Sequence, residues 1–209
     1  MRHMRESMIP SIRALWADVP SDGPAMTVAD LLALPEDRWR FELIAGHLRR
    51  REQGDLRHEM IESALVIAVR DATRNGGPPG VVMVESGFVV SVAGEPDTVL
   101  TPALAFVRAD HTQDGATPTA ESAVRRIPDL VAEIAAPSQL PREMSERAQR
   151  WLALGARVIW VVWPARHRVD VWRRTEADDA TPTTYSVHET LVERDVLADF
   201  SYPVSSLFI

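Results

Sequence analysis

The chain contains 209 residues, of which 45% are hydrophobic and 25% charged, a composition that predicts one compact domain with a substantial core. It has no cysteine, which excludes disulfide scaffolds, thiolate zinc sites, iron–sulfur clusters and cysteine nucleophiles. All 23 basic residues are arginine, which excludes mechanisms that require a lysine. The formal net charge of −7 repels nucleic acid overall, so nucleic-acid binding would need a local basic patch.

The sequence shows neither a membrane span nor a signal peptide. No apolar run reaches about 18 residues, and the first residues lack the continuous apolar stretch of a signal peptide. We therefore expect a cytoplasmic protein without a membrane partner.

The N-terminal residues differ in character from the rest of the chain. Residues 1–25 carry scattered charges and end in a Pro- and Gly-containing turn cluster, which predicts an N-terminal extension with a short helix around Ile12–Trp16. Residues 26–209 are predicted to form a single domain.

The first elements of this domain are a short helix and a hairpin. Thr27 and Asp30 have the spacing of a capping box, which predicts a helix that runs through Leu34. Apolar residues alternate on both sides of Ala45 and Gly46, which predicts a β-hairpin with a turn that glycine permits.

The clearest helix is predicted from Asp55 to Arg74, before a Gly- and Pro-rich stop at residues 75–80. Its expected apolar face consists of Met60, Ile61, Ala64, Leu65, Ile67, Ala68 and Val69. Four strand-like runs follow, the last two separated by a polar loop: residues 81–85, 87–92, 103–107 and 129–135.

A second amphipathic helix is predicted from Gln139 to Leu154, with Gly155 as its C-cap. Residues 157–164 form a nearly continuous apolar strand, and the alternating residues 166–174 are expected to be its hairpin partner. A further strand is predicted at Tyr185–Val187.

The order of these elements predicts an α/β or α+β domain in which helices flank a mixed sheet. A doubly wound nucleotide-binding fold is not expected, since the chain shows no repeated βαβ rhythm and no glycine-rich phosphate loop.

Five segments, in their order and spacing, resemble one protein family: FELIAGHL, RHEMIESAL, TPALAFV, IPDLVAEIAAPS and ERAQRWLALGARVIWVVWP. They are similar to the Uma2 family of putative restriction endonucleases, and the resemblance runs from about Met26 to Phe208. It implies the PD-(D/E)XK, restriction-endonuclease-like fold, with a mixed central sheet flanked by helices. It also implies an endonuclease that acts on DNA with Mg²⁺ or Mn²⁺.

The resemblance places the strand glutamate of the family, a metal ligand, at Glu133. Because a glutamate in so apolar a strand is costly to bury, we expect it to face a cleft or an ion. The alternative is a glutamate at the strand end that is exposed to solvent or paired with an arginine. The family has an aspartate where this chain has Ala103, which offers no ligand atom. Asp97 and Glu85 are the candidates to replace that metal-binding carboxylate.

The family lysine, four residues before an aromatic residue, corresponds to Arg147. Arginine keeps the positive charge but cannot act as a base. Arg147 could therefore bind phosphate, or it could be a solvent-facing residue paired with Glu143. Glu42 and His58 match two further recurring positions and could line the cleft, although a lone histidine at a helix start is often a cap.

Two other groups of residues allow a functional and a structural interpretation. Four tryptophans could stack on bases, but their spacing favours a place in the core or in an interface: Trp151, Trp160, Trp163 and Trp172. The run Arg49–Arg51 could follow a phosphate backbone, but it also suits a charged hairpin edge.

Three hypotheses follow from these observations. The first is a degenerate nuclease with weak or no activity, since Ala103 replaces the family aspartate and no lysine is present. The second is an active nuclease whose remodelled metal site uses Glu133 with Asp97 or Glu85. The third is a non-catalytic nucleic-acid or protein interaction module, for example a homodimer formed through the tryptophan-rich sheet or the C-terminal residues.

Overall fold

The computed structural model describes residues 24–34, 41–51, 54–90, 96–111, 126–174 and 181–208. The helix expected around Ile12–Trp16 and most of the polar loop after Arg108 lie outside these residues.

The N-terminal elements match the sequence prediction. Helix α1 spans Val28–Leu32, and its capping box forms as expected, with Asp30 N–H donating to Thr27 Oγ1 and Thr27 N–H donating to the Asp30 carboxylate. The hairpin consists of β1 (Phe41–Ile44) and β2 (His47–Arg50). Its turn has a positive φ at both Ala45 and Gly46, +48° and +81°, which is typical of a two-residue turn between twisted strands.

The long helix α2 spans Leu56–Arg74 and begins at Asp55, whose carboxylate accepts the His58 N–H. The helix is confirmed, but its apolar face is narrower than expected. Met60 and Ile67 are 45% and 61% exposed, because a single helix buries only one stripe against the sheet. The stripe that packs consists of Ile61, Leu65, Ala68 and Val69.

The central sheet has six strands in the order β10-β9-β8-β7-β6-β3. Their bounds are Gly80–Val84 (β3), Leu104–Arg108 (β6), Leu130–Ile134 (β7), Val158–Trp163 (β8), Arg168–Arg173 (β9) and Thr183–Ser186 (β10). Strands β7 and β8 pair in parallel, and the other neighbours pair antiparallel. Helix α3, Pro141–Leu154, connects the parallel pair and ends at Gly155 with φ of +117°. The predicted mixed sheet is thus confirmed.

A second sheet has four strands in the order β2-β1-β5-β4, with β4 at Phe88–Val90 and β5 at Thr98–Leu100. The sequence pattern identified the segment around Asp97 only as a turn, because β5 is three residues long. Two short C-terminal strands, β11 (Thr190–Glu193) and β12 (Phe200–Pro203), pair with each other.

The central sheet is covered on both faces. One face packs against α2 and the β11–β12 hairpin, through residues such as Leu65, Trp160 and Phe200. The other face packs against α3 and the four-stranded sheet, through residues such as Trp151 and Phe88. In the part of the chain that the structure describes, no helix is both long and apolar enough to cross a membrane.

Candidate active-site cleft

Two buried glutamates face each other where the two sheets meet. Glu42 lies on β1, and Glu133 lies on β7; each is only 6% exposed. Side chains alternate along a strand, so Glu133 points to the same side as Val131, which packs in the layer beneath α3. Glu42 shares its side with Ile44, which packs in the same layer. The strand pattern therefore directs both carboxylates toward α3.

Arg147 enters from α3 and lies between the two glutamates. Its Nη1 and Nη2 donate to the two carboxylate oxygens of Glu42, at 3.0 and 2.8 Å, and its Nε lies 2.8 Å from Oε1 of Glu133. Nη2 also donates to the Thr101 carbonyl at 3.2 Å. Arg147 is thus not a solvent-facing partner of Glu143, whose carboxylate accepts the Leu140 N–H instead.

Two further groups complete this arrangement, and neither was identified from the sequence. The backbone N–H of Thr101 donates to Oε1 of Glu42 at 2.6 Å, and the indole Nε1 of Trp151 donates to Oε1 of Glu133 at 2.7 Å. The four-residue spacing of Arg147 and Trp151 puts both on one face of α3. That spacing was the available signal for Trp151; the contact of Thr101 uses only its backbone and leaves no trace in the sequence.

The charges of this cluster depend on one another. Burial opposes ionisation of Glu42, but its attraction to Arg147, the bonds from that side chain and the Thr101 N–H outweigh burial and lower its pKa. Burial raises the pKa of Glu133, since Arg147 and Trp151 compensate only in part and Glu42 adds repulsion. Burial works against the charge of Arg147, yet the two glutamates raise its pKa further above its ordinary value. The guanidinium is therefore permanently charged.

A cleft of about 180 Å³ is lined by Glu42, Thr101, Glu133 and Arg147, among other residues. It brings together the four residues that the sequence suggested as catalytic: Glu42, His58, Glu133 and Arg147. Ala103, where the sequence resemblance predicts that the family has an aspartate, also lines the cleft. The structure thus assembles the expected positions around one space, while their chemical roles remain predictions.

His58 lies on the α2 side of the cleft. Burial lowers its pKa, although Glu85 opposes this effect, so the imidazole is neutral near pH 7. Its Nδ1 is buried without a hydrogen-bond partner among the described residues. The imidazole packs closely on Gly54, where an added Cβ would come within 2.4 Å of the His58 Cγ. His58 is therefore held by packing rather than by polar contacts.

The two residues proposed to replace the missing aspartate lie in different places. Glu85 follows β3, its backbone N–H donates to the Ala103 carbonyl at 3.2 Å, and its carboxylate forms two hydrogen bonds with Arg51, at 2.8 and 3.2 Å. Asp97 instead accepts the Val28 N–H at the start of α1, 3.1 Å away, and neither Asp97 nor Glu85 lines the cleft. Only Glu85 therefore lies close to Ala103.

The residues present do not fit a divalent metal ion. Of the two glutamates in the cleft, Glu42 has both oxygens occupied by Arg147, and Glu133 shares one oxygen between Arg147 and Trp151. Ala103 has no donor atom. Across the described ranges, no group of three or more histidine or acidic residues is placed to hold a metal. The positive charge in this cleft is supplied by the protein itself.

The tryptophans and the arginine run have clear positions. All four tryptophans are at most 6% exposed, so they form part of the core rather than a base-stacking platform or an exposed dimer surface. Strand β2 lies at the edge of the four-stranded sheet, as expected for a charged edge. Arg50 and Arg51 both line the cleft, so the run also reaches the candidate site.

Comparisons with known proteins agree with this architecture. A solved structure titled as a putative nuclease belonging to DUF820, from Anabaena variabilis ATCC 29413, is similar to the chain with a TM-score of 0.71 and 17% identity. The match covers 88% of this chain and 97% of that one, and it shows the restriction-endonuclease-like fold. No curated protein matches.

The family comparison covers nearly all of the described chain. The model of the Uma2 family, described as "Putative restriction endonuclease", matches residues 28–205, from the first residue of α1 to the C-terminal turn after β12. This range contains both sheets and every residue of the cleft, and it confirms the resemblance seen in the five sequence segments. The chain belongs to the Uma2 family.

Proposed function

We propose that this chain is a nuclease-fold protein that has lost metal-dependent phosphodiester hydrolysis, or retains it only weakly, and that its ligand is DNA. One observation carries the proposal: the Arg147 guanidinium lies between Glu42 and Glu133 and donates to both. In an active nuclease of this type, carboxylates would hold Mg²⁺ or Mn²⁺ beside the scissile phosphate.

The energetic argument rests on competition between two cations. A metal that bound Glu133 through Oε1 would have to displace Arg147 and leave its charge buried with fewer partners. Breaking a buried ion pair in this way costs about 3–5 kcal/mol, which lowers metal affinity by a factor of about 10² to 10⁴. The loss of the ligand at Ala103 acts in the same direction.

The chemistry of Arg147 supports the same conclusion. A lysine at this position could share a proton with the attacking water, whereas a guanidinium held between two carboxylates cannot release its proton. The cleft therefore has no basic nitrogen on α3 to assist hydrolysis. Neither the lysine nor the aspartate that the family resemblance implies is present in this cleft.

A calorimetric titration with Mn²⁺ tests the proposal, because Mn²⁺ probes a carboxylate site less stringently than Mg²⁺. We expect no binding at millimolar concentrations and no nicking of supercoiled plasmid with either ion. Glu133→Ala shows whether any Mn²⁺ that binds does so at this site. Glu133→Gln removes the charge of the same side chain while keeping its volume. Metal-dependent nicking by the wild-type protein that disappears in both variants would overturn the proposal.

A second candidate function is an active nuclease with a remodelled site. The hydrogen bond between Glu85 N–H and the Ala103 carbonyl favours it, since it places the Glu85 backbone beside the position of the missing ligand. This site would combine Glu133 with Glu85, which would first have to leave Arg51. Asp97 is the less suitable partner, because its carboxylate accepts a bond at the start of α1. Mn²⁺ binding that Glu85→Gln abolishes would support this candidate.

A further inference from the structure

A second pocket lies directly beside the cleft, and none of the functions considered above uses it. It has a volume of about 200 Å³ and is lined by three segments, residues 54–58, 135–139 and 163–166. We call it the Trp163 pocket. It shares His58, Ala136 and Gln139 with the cleft, so the two spaces adjoin each other.

The Trp163 pocket lies at the carboxyl ends of the two parallel strands, β7 and β8. In open α/β sheets, ligands bind in crevices at this edge, because the chain leaves parallel neighbouring strands in diverging directions. Two hydrogen bonds hold side chains that line the pocket: Ala136 N–H donates to Gln139 Oε1 at 2.8 Å, and Trp163 Nε1 donates to Asp170 at 2.7 Å. These bonds fix two walls of the pocket before any ligand arrives.

The charges of the Trp163 pocket differ from those of the cleft. In the cleft, Arg147 is neutralised by two glutamates and Arg51 by Glu85. Arg57, Arg166 and Asp55 line the Trp163 pocket. The Asp55 carboxylate accepts the His58 N–H, and neither arginine forms an ion pair or hydrogen bond with a side chain in the ranges that the structure describes. The Trp163 pocket therefore offers two arginines to an anion, and its one carboxylate already accepts a backbone N–H.

Arg166 is also oriented in advance. Its guanidinium carbon lies 5.0 Å from the ring centroid of Trp163, a cation–π contact that holds the group against the pocket wall. A planar guanidinium held in this way loses less freedom when it binds a phosphate, and its paired N–H groups match phosphate oxygens. Arg57 provides a second positive charge from the first turn of α2.

We propose that the Trp163 pocket binds a phosphate group of a nucleic-acid strand, with Arg57 and Arg166 as the residues that contact it. The apolar surface of Pro137 and Pro164 would then lie against the neighbouring sugar or base. A pocket of about 200 Å³ is smaller than the roughly 300–1,000 Å³ of small-molecule sites, so it holds a phosphate with part of one nucleotide. The inference rests on the proposed function in one respect, that the ligand of this protein is DNA.

Binding without metal is the test. A fluorescein-labelled 12-nucleotide single strand is titrated with the full chain in EDTA, at low and at physiological salt. We expect Arg57→Ala and Arg166→Ala each to weaken binding by about fivefold or more, and to reduce the salt slope by about 0.7, as expected for one lost phosphate contact on a single strand. Arg70→Ala is the matched control: it removes the same charge from an exposed site on α2, about 20 Å from Arg57 along the helix.

Three outcomes would overturn the inference. The first is equal weakening by Arg70→Ala, which would mean that only overall charge matters. The second is no binding of the strand by wild-type protein at about 100 μM and low salt, since even non-specific complexes are detectable there. The third comes from a competition assay, in which AMP or inorganic phosphate displaces the labelled strand at the same concentration as an unlabelled copy of that strand does. This result would assign the pocket to a free anion instead.

The test separates this inference from the proposed function. Plasmid nicking with metal would contradict the loss of hydrolysis, yet leave the effects of Arg57→Ala and Arg166→Ala in EDTA unchanged. Conversely, strand binding that is insensitive to both variants would remove the Trp163 pocket while leaving the absence of metal-dependent cleavage intact. Thermal unfolding of each variant confirms that these exposed substitutions leave the fold in place.

Discussion

The Nε of Arg147 lies 2.8 Å from Oε1 of Glu133, the same oxygen that accepts the Trp151 indole N–H. One carboxylate oxygen on β7 thus joins two side chains of α3, one helical turn apart. The other end of the guanidinium donates to Glu42 on β1. A single cation therefore links the central sheet, the four-stranded sheet and helix α3.

Arg147→Ala should destabilise the protein strongly, because it leaves Glu42 and Glu133 buried without their cation. We expect a loss of about 3–5 kcal/mol in the free energy of unfolding, measured by urea denaturation at pH 7. Arg142→Ala is the control on the same helix: it breaks the exposed pair with Glu146, and such pairs contribute about 0.3–0.5 kcal/mol. Similar losses in the two variants would mean that Arg147 has little structural importance.

Restoring the family residues should restore metal binding. In the double variant Ala103→Asp with Arg147→Lys, the missing ligand returns and the bidentate bonds to Glu42 are removed. We expect Mn²⁺ binding to become measurable by calorimetry and plasmid nicking to rise at least about tenfold above wild type, about 1.4 kcal/mol of barrier. Ala103→Asn with Arg147→Lys is the matched control, since an amide is a weaker metal ligand. No gain in either assay would show that more of the site has been lost than these two positions.

Glu62 should make the folded protein less stable as pH rises. Burial and the nearby Glu85 and Glu59 raise its pKa from 4.5 to about 7, although Arg51 opposes them, and its Oε1 has no hydrogen-bond partner among the described residues. Because the folded state holds this proton more tightly than the unfolded state, stability falls between about pH 4.5 and pH 7 and stays lower above it.

Glu62→Gln removes this dependence. A shift of this size would be worth roughly 3 kcal/mol at a fully buried site, but the side chain is partly exposed and screened, so we expect about 1 kcal/mol. The variant should be more stable than wild type by that amount at pH 8 and about equal to it at pH 4. Urea denaturation at the two pH values measures the difference; a constant difference across pH would contradict the assignment.

The indole N–H of Trp151 should contribute measurably to stability. Trp151→Phe removes the donor to Glu133 and leaves a buried oxygen with one bond fewer, at a cost of about 1–3 kcal/mol beyond the loss of volume. Trp160→Phe is the matched control, since Trp160 is equally buried and its Nε1 has no partner in the part of the chain that the structure describes. Equal losses in urea denaturation would mean that the bond to Glu133 adds nothing.

Local patterns allowed much of the fold to be predicted. The capping residue Thr27, the terminal Gly155 and the turn at Ala45 and Gly46 each fix the backbone through contacts within a few residues, and the structure confirms all three. Strand β5 was not identified, because three residues carry too little periodicity. The apolar face predicted for α2 was also too wide, since the pattern could not show that Ile67 points away from the sheet.

The positions of the cleft could be listed from the sequence, but their partners could not. Glu42, His58, Glu133 and Arg147 span more than 100 residues, and only the packing of β1, β7, α2 and α3 brings them around one space. The sequence left Glu133 open between an ion and an arginine, and the structure shows the arginine.

The sequence by itself determined that this protein contains no lysine and has alanine at position 103, and these absences limit its chemistry in any fold. Only the tertiary structure decided where its positive charges act. Arg147 is neutralised between two glutamates, whereas Arg57 and Arg166 remain without acidic partners in the described residues beside the neighbouring pocket. The physical reason is that the strength of a charge depends on the groups within a few ångströms of it, and residues distant in sequence supply those groups.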